Sequence, residues 1–483
     1  MNLHKARTPP LKETRVISRS LRPGAQNAAS LKLWSVRDLG APGRRLTGGG
    51  PPVRLGVIGV GTVGTGTIKV LTEHAREVER RLGCRLELKT VCSRNIHKKD
   101  LSWLRHPVGV TRDWKAVVRD PNVDIVVELV SETATARAIA LAALDNRKHL
   151  VTANKELVAE HGVELVGRAG AAGVNLGIEA CVAGGTPLLH AIREGLAGEH
   201  FSAVFGILNG TTNYILTEME RRGCTFAEAL AEAQRAGYAE PDPSKDVEGY
   251  DARYKIAILA MLCFGQAVRV DQIPVQGITR IDRVDFSYAR RLDHVIRLIA
   301  GARREQRGRL EIFVRPMMIP HRSPLAGVLG SINGILLMGN KGGNTMIQGR
   351  GAGGEPTGVA VLSDVVQIAR ALVAGGAGIT PLGYTTWHPA RIASTGENLL
   401  RSYLRLVVRD RPGILARVCG ILAKHRINID SVLQEPCPSK KRLPFVMTLE
   451  PTRERLIARA VSTIARLPFL AEAPLMMPFA DLP

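Results

Sequence analysis

Between residues 53 and 183, apolar runs of strand length alternate with helical patterns. "VRLGVI" is an apolar strand, "TVGTGTIKVLTEHA" reads as a helix after a glycine-rich turn, and "LELKTVCSR" is a second strand. "VDIVVELV" and "RKHLVTANK" are continuous apolar runs of the kind that buried parallel strands carry, with helical "TARAIALAALDN" between them. Further on, "RLEIFVRPMMI" and "GILLMG" read as strands of a second domain, expected to be an open mixed sheet that also pairs subunits. "GRGAGGEPTG" then leads the apolar helical pattern "VAVLSDVVQIARALV". From about Ser402 the order is strand, turn, helix, strand, and "PFVMTLEP" and "ERLIARAVSTIARLP" add a strand and a helix. The chain therefore divides into a first α/β domain over 53–185 completed by a helix near 355–375, a second, α+β domain over 186–350, a linker over 376–400 and a last domain over 401–483.

The first turn carries specific chemistry. Gly59, Gly61 and Gly64 fit G-x-G-x-x-G, with Val60, Thr62 and Val63 between them, after a strand and before a helix. The first glycine permits the tight turn, the second lets pyrophosphate approach the backbone, and the third lets helix and strand pack closely. The free N–H groups and dipole of the helix start favour phosphate charge. This context predicts a Rossmann-type, doubly wound dinucleotide-binding domain. After the second strand the chain offers Ser93 and Arg94, with Lys98 and Lys99 nearby and no carboxylate before Asp100. A guanidinium and a hydroxyl suit a 2′-phosphate, so NADP is favoured over NAD. The alternative is that Arg94 stacks on adenine and both cofactors bind. Strand ends carry ligands in such sheets, which singles out Ser131 and, in "TANK", Lys155.

Composition narrows the class. The 483 residues carry a formal net charge of +22 and are 45% apolar. No apolar run is expected to reach the roughly 18–20 residues that span a bilayer, so no membrane role is predicted. The seven cysteines are scattered without C-x-x-C spacing, which points to reduced thiols in a cytoplasmic setting. Residues 1–52 hold ten Lys/Arg against two Asp/Glu and end in the linker-like "LTGGGPPV". They read as a disordered basic extension or an upstream start, with an organellar transit peptide as the alternative. Charge without base-reading or aromatic elements gives no nucleic-acid role.

Against that positive balance, "GYAEPDPSKDVEGYDARYKIAIL" gathers Glu240, Asp242, Asp246, Glu248 and Asp251 just before Lys255. Asp251 and Lys255 stand i, i+4 and share a helix face. Together with "GVGTVG", "VTANKELVA", "IEACVAGGTPLL", "GILNGTTNYIL" and "GRGAGGEPTGVAVLSDV", in that family's order over residues 53 to about 390, this stretch resembles homoserine dehydrogenase. The resemblance implies NAD(P)-linked interconversion of L-homoserine and L-aspartate 4-semialdehyde, in threonine, methionine and isoleucine synthesis, by a homodimer or homotetramer. It places the active-site lysine at Lys255 and a second, cofactor- and substrate-side lysine at Lys155. The substrate-binding glutamate falls on Glu240, with Tyr238, Asp246 and Asp251 beside it. A sodium site of some members maps to Glu179, Val182, Gly184 and Thr186. Gly353 is placed over the nicotinamide end, or else in a tight connection back to the first domain.

The reaction needs a carboxylate for the substrate ammonium and an acid/base at the reacting oxygen. Glu240 takes the first role and Lys255 the second, its pKa pulled down by Lys155 and up by Asp251. Water as the proton carrier, with both lysines polarising the oxygen, is the alternative. The last 83 residues resemble an ACT domain, a ferredoxin-like βαββαβ unit, and the resemblance implies an effector site bordered by Asp410, Gly413, Ile414, Leu415 and Asn428, with L-threonine as the effector. Pairing of copies without a ligand is the simpler alternative. Two other functions stay open at this point: a silent amino-acid sensor, and an NADP dehydrogenase acting on another amino-alcohol.

Overall fold

A computed structural model describes residues 51–104, 106–305, 308–375, 382–435 and 439–482. The basic extension over residues 1–50, the start of the linker at 376–381 and Cys437 lie outside the described residues. The six described cysteines form no disulfide.

The first sheet holds β1 (Val53–Ile58), β2 (Leu86–Cys92), β3 (Gly109–Thr111), β4 (Ile125–Glu128), β5 (His149–Thr152) and β6 (Leu176–Gly177). Its order is β3-β2-β1-β4-β5-β6 and every pairing is parallel, the doubly wound Rossmann arrangement. Both faces are covered, which is why β4 reads as an uninterrupted apolar run ending in the fully buried Glu128. Helices α1 (Thr62–Glu73), α2 (Thr133–Asp145) and α3 (Lys155–Ala172) follow β1, β4 and β5. Each helix start therefore sits at the carboxyl edge of the sheet, where such folds bind ligands.

The second sheet is built from β7 (Phe201–Ile207), β8 (His294–Arg304), β9 (Leu310–Pro320), β10 (Ile332–Gly339) and β11 (Asn344–Arg350), in the order β9-β8-β7-β10-β11. All its pairings are antiparallel. The mixed sheet expected from sequence is thus corrected: short connections join β8 to β9 and β10 to β11, and short connections produce antiparallel neighbours. One face of this sheet packs on α5 (Tyr250–Phe264), whose residues from Ile256 to Phe264 are all buried. α4 (Gly210–Arg222) follows β7 directly.

α6 (Gly354–Ala374) returns to the first domain. Contrary to the expectation that no apolar run is long enough, this helix could cross a membrane by length and composition. Here Val361, Val365 and Ile368 join the core on one face of the nucleotide sheet, and its start crosses α1 at van der Waals range. The crossing is close because a Cβ on Gly66 would stand 2.2 Å from the Gly354 backbone.

The last domain runs β12 (Leu399–Val408), α7 (Ile414–Lys424), β13 (Ile429–Leu433), β14 (Leu443–Arg453), α8 (Glu454–Ile464) and β15 (Leu475–Pro478). Its antiparallel order, β13-β14-β12-β15, is the ferredoxin-like βαββαβ arrangement of an ACT domain. The domain is tied to the second sheet: Ala480 N donates to Met318 O at 2.8 Å. Arg405 meets the fully buried Asp285 at 2.8 Å, and the Tyr403 hydroxyl donates to the same carboxylate at 2.6 Å.

Candidate active site

The glycine-rich turn has the geometry its spacing predicts. Gly59 has φ +107°, and a Cβ there would meet Leu129 O at 2.5 Å. A Cβ on Gly64 would stand 2.0 Å from Gly59 O, so the third glycine is needed for α1 to leave the strand. Gly61 faces open space, with nothing within 4 Å of its Cβ position. It caps α1 without a side-chain bond, so the first N–H groups of the helix, from Thr62 and Val63 onward, point into a cleft of about 620 Å³. Lys69, Lys99 and Arg350 line that cleft together with Gly353, which has φ +134° and opens α6. Arg94 and Ser131 are exposed at the ends of β2 and β4. An open backbone approach, two helix starts and three cations, which outnumber the one carboxylate of the lining, Glu355, fit a dinucleotide diphosphate.

At the far end of the same sheet edge, Asn154 caps α3, accepting from Leu157 N at 2.9 Å. This sets Lys155 as the first residue of the helix. Its Nζ lies 3.1 Å from Asp251 Oδ1, while Lys255 Nζ lies 2.7 Å from Asp251 Oδ2 and donates to Leu208 O at 2.8 Å. Asp251 is therefore held between two ammoniums, one from each domain. Burial pushes the Asp251 carboxyl up, but the charges of Lys255 and Lys155 outweigh it and hold the carboxyl well below the usual range. The negative charge of Asp251 in turn raises Lys155 against the burial that lowers it. Both groups expected to act on Lys255 are thus in place, with the Asp251 carboxylate standing between the two lysines.

Asp246 completes the constellation. Burial raises its carboxyl and the charge of Asp251 raises it further, while Asn209 and Thr211 pull it back. Sequence reasoning missed Asn209, whose Nδ2 donates to Asp246 Oδ1 at 2.7 Å and to Asp251 Oδ2 at 2.9 Å. Its sequence signals were its place before a helix, as an N-cap, and its position within "GILNGTTNYIL". A second tie closes this part of the cleft: Lys245 Nζ meets Glu156 Oε1 at 2.7 Å.

The other expected residues lie at varying distance from this core. Tyr238 stacks on Tyr214 with centroids 4.7 Å apart, and its carbonyl accepts from Thr211 Oγ1 at 2.6 Å. Glu240 is exposed two residues on, and among the described residues its carboxylate contacts neither lysine nor Asp246. Glu179 is fully buried, with Oε1 accepting from Leu189 N at 3.0 Å and Oε2 from His190 N at 2.8 Å. Burial pushes its carboxyl up to about 7. The Thr186 carbonyl accepts from Leu188 N, and Gly184 N donates to Gly351 O. The sodium site that the resemblance implies would take Glu179 and the carbonyls of Val182, Gly184 and Thr186; both Glu179 oxygens already accept backbone N–H groups. With Val182 buried beside it, the set serves the junction between β6, the segment after it and α6. No step is derived through that ion.

In the last domain, Gly413 has φ +86° and opens α7, Ile414 is buried and Leu415 is exposed. Asp410 pairs with Lys440 at 2.8 Å, and Asn428 Nδ2 donates to Glu450 at 3.1 Å. Asp410 to Leu415 follow the end of β12, whereas Asn428 precedes β13, which runs in the same direction as β12, so the register places Asn428 at the opposite end of the sheet from the other four.

Three family models match along the chain: "Homoserine dehydrogenase, NAD binding domain" over residues 59–179, "Homoserine dehydrogenase" over 187–366 and "ACT domain" over 402–469. Among curated relatives, homoserine dehydrogenase from Pseudomonas aeruginosa is 38% identical, covering 86% of this chain and 96% of its own. The Corynebacterium glutamicum enzyme is also 38% identical, over 87% and 96%. A homoserine dehydrogenase structure from Thiobacillus denitrificans superposes with a TM-score of 0.81 at 37% identity, covering 90% and 99%. A hyperthermophilic archaeal homoserine dehydrogenase in complex with NADPH gives 0.56 at 26% identity, over 66% and 97%. With a nucleotide cleft at one end of its parallel sheet and paired lysines around a buried carboxylate at the other, this chain belongs to the homoserine dehydrogenase family.

Proposed function

We propose that this oxidoreductase interconverts L-homoserine and L-aspartate 4-semialdehyde with NADP as the preferred cofactor, Lys255 as the proton shuttle and L-threonine as the effector. The observation that carries the reading is the Lys155–Asp251–Lys255 chain, its Asp251 and Lys255 buried and its Lys155 part-exposed where the nucleotide and substrate domains meet. The bound nicotinamide supplies the hydride acceptor or donor. Lys255 is anchored by Asp251 and by Leu208 O, which leaves one of its three N–H donors for the substrate oxygen. In aldehyde reduction that ammonium gives its proton to the oxygen as charge develops there. In alcohol oxidation the neutral Lys255 amine takes the proton back and becomes the ammonium again, and Lys155 stabilises the oxygen's charge. Asp246, and Glu240 once the cleft closes, face the substrate ammonium.

A second reading is favoured by one specific observation. Asp251 holds Lys155 more firmly protonated than an isolated lysine, which suits a site where both lysines polarise the oxygen and water carries the proton. Lys255→Ala and Lys155→Ala separate the two. If Lys255 is the shuttle, only its loss flattens the pH dependence of turnover; if water is, the two variants lower turnover alike and keep its shape.

NADP preference is supported by exposed Arg94 and by Asp100, whose carboxylate is turned onto Ser102 and away from acting as a ribose acceptor. Homoserine oxidation should proceed at least tenfold more efficiently with NADP than with NAD, and Arg94→Ala should erase most of that ratio. Equal efficiency in the wild-type protein removes the preference. Threonine control is supported by the ACT fold and by the left-handed turn at Gly413. Asp410→Ala should raise the threonine concentration for half-inhibition at least tenfold. Placement in threonine, methionine and isoleucine synthesis belongs to the same proposal.

A further inference from the structure

We infer that Asn209 is a positioning residue of this site, one that keeps Asp246 and Asp251 ionised side by side and so fixes the carboxylate on which both lysines depend. The inference rests on the proposed site and adds a residue to it. Asn209 is 5% exposed and stands at the junction of β7 and α4. Its Oδ1 accepts from Thr212 N at 2.8 Å and from the Thr212 hydroxyl at 3.0 Å, as the cap of α4. Those two donors settle which way the amide points, because a flipped amide would set Nδ2 against them and Oδ1 against two carboxylates. The amide hydrogens are thereby directed at Asp246 Oδ1 and Asp251 Oδ2, 2.7 and 2.9 Å away.

An amide that bridges two carboxylates with one N–H each offsets part of their repulsion without adding charge, and a bond to the ionised form favours that form. The residue before it has the complementary task. Leu208 O accepts from Lys255 Nζ, so two consecutive residues hold the cation and the anions of one cluster. The strand behind them is fixed: β7 pairs with β8 on one side and β10 on the other. The groups facing Asp246 and Asp251 are then Lys155 from the nucleotide domain, Lys255 from α5, and Asn209 and Thr211 from α4 and its cap. Without the amide, Asp246 would face Asp251 with one donor fewer, keeping the Thr211 bond and the charge of Lys255, and would take up a proton more readily.

Asn209→Ser tests this, because serine retains a good helix cap but cannot reach the carboxylates. Homoserine oxidation is measured from pH 6 to 10 with the full-length protein, alongside cofactor affinity. The expected result is an acid limb of kcat/KM displaced upward by about one pH unit. The deficit should be at least tenfold at pH 6 and shrink toward wild type at high pH, with cofactor Kd within twofold. A purely structural cap defect would lower activity equally at every pH and leave the limb in place, and that outcome overturns the proposal. Asn209→Asp serves if the serine variant does not fold: it preserves the cap, replaces the donor with a third carboxylate, and should displace the limb further. An unmoved limb in that variant also overturns the proposal. Lys255→Ala in the same assay keeps the two claims apart. Near-wild-type turnover there removes the lysine assignment, while the displacement of the acid limb by Asn209→Ser still decides the role of the amide.

Discussion

At the scale of single residues, the site is an arrangement of charges that burial would otherwise forbid. Asp251 is 7% exposed and Lys255 8%, and the Asp251 carboxylate is kept ionised by Lys255 and Lys155. Removing one partner leaves an uncompensated buried charge, which costs far more than the pair itself contributes. Glu128, at the end of β4, shows the opposite case. It has no cationic partner among the described residues; burial pushes its carboxyl up to about 7 against bonds from Thr152 and Val130. A carboxyl raised on folding favours the protonated folded state. Its contribution is full below the unfolded value of 4.5 and is lost as pH rises to about 7. Urea unfolding of the wild-type protein should therefore lose about 3 kcal/mol of this group's contribution between pH 4.5 and 7.5. Glu128→Gln, which stays neutral, should flatten that part of the profile; an unchanged slope would mean that Glu128 ionises without cost.

At the scale of elements, the three glycines after β1 separate folding from binding. Gly64→Ala forces a Cβ onto the Gly59 carbonyl and should cost about 1–3 kcal/mol of stability as overpacking. Gly61→Ala meets nothing in the protein, so its melting temperature should stay within a degree or two while cofactor affinity falls at least tenfold. Thermal melts with and without cofactor distinguish the two effects. These elements were legible in the sequence because glycine spacing and apolar strands encode them locally. The i, i+4 pairing of Asp251 with Lys255 was legible for the same reason. Asn209 was not, because its amide meets residues 37 and 42 positions away, and no local pattern announces a long-range hydrogen bond. The antiparallel second sheet escaped similarly: β7, β8 and β11 are separated by helices and turns, and only their partners decide their direction.

At the scale of the whole molecule, the ACT domain is docked rather than tethered. Arg405 and Tyr403 of β12 converge on Asp285, and Arg280 donates to Pro474 O at 2.6 Å. The segment around Arg280 also reaches the site: Ile278 N donates to Val247 O, the residue next to Asp246. Arg405→Met would leave Asp285 buried without its cation, at a cost of about 3–5 kcal/mol, and should also weaken threonine inhibition by loosening this contact. A melt and an inhibition curve on the same sample check both. Leu415 and Val432 are exposed on α7 and on the edge strand β13, whose outer side pairs with no other strand of this sheet. Sequence fixes the order of these domains but not how the last one docks, because Asp285 and Arg405 are 120 residues apart.

The central claim is that Lys255, poised by Asp251, moves the proton in homoserine oxidation. Homoserine-dependent reduction of NADP by the wild-type protein and by Lys255→Ala tests it most directly. The wild-type protein should reduce NADP, and the variant should lose at least a hundredfold in kcat with cofactor affinity intact. No reduction by the wild-type protein, or near-wild-type turnover by the variant, would contradict the account.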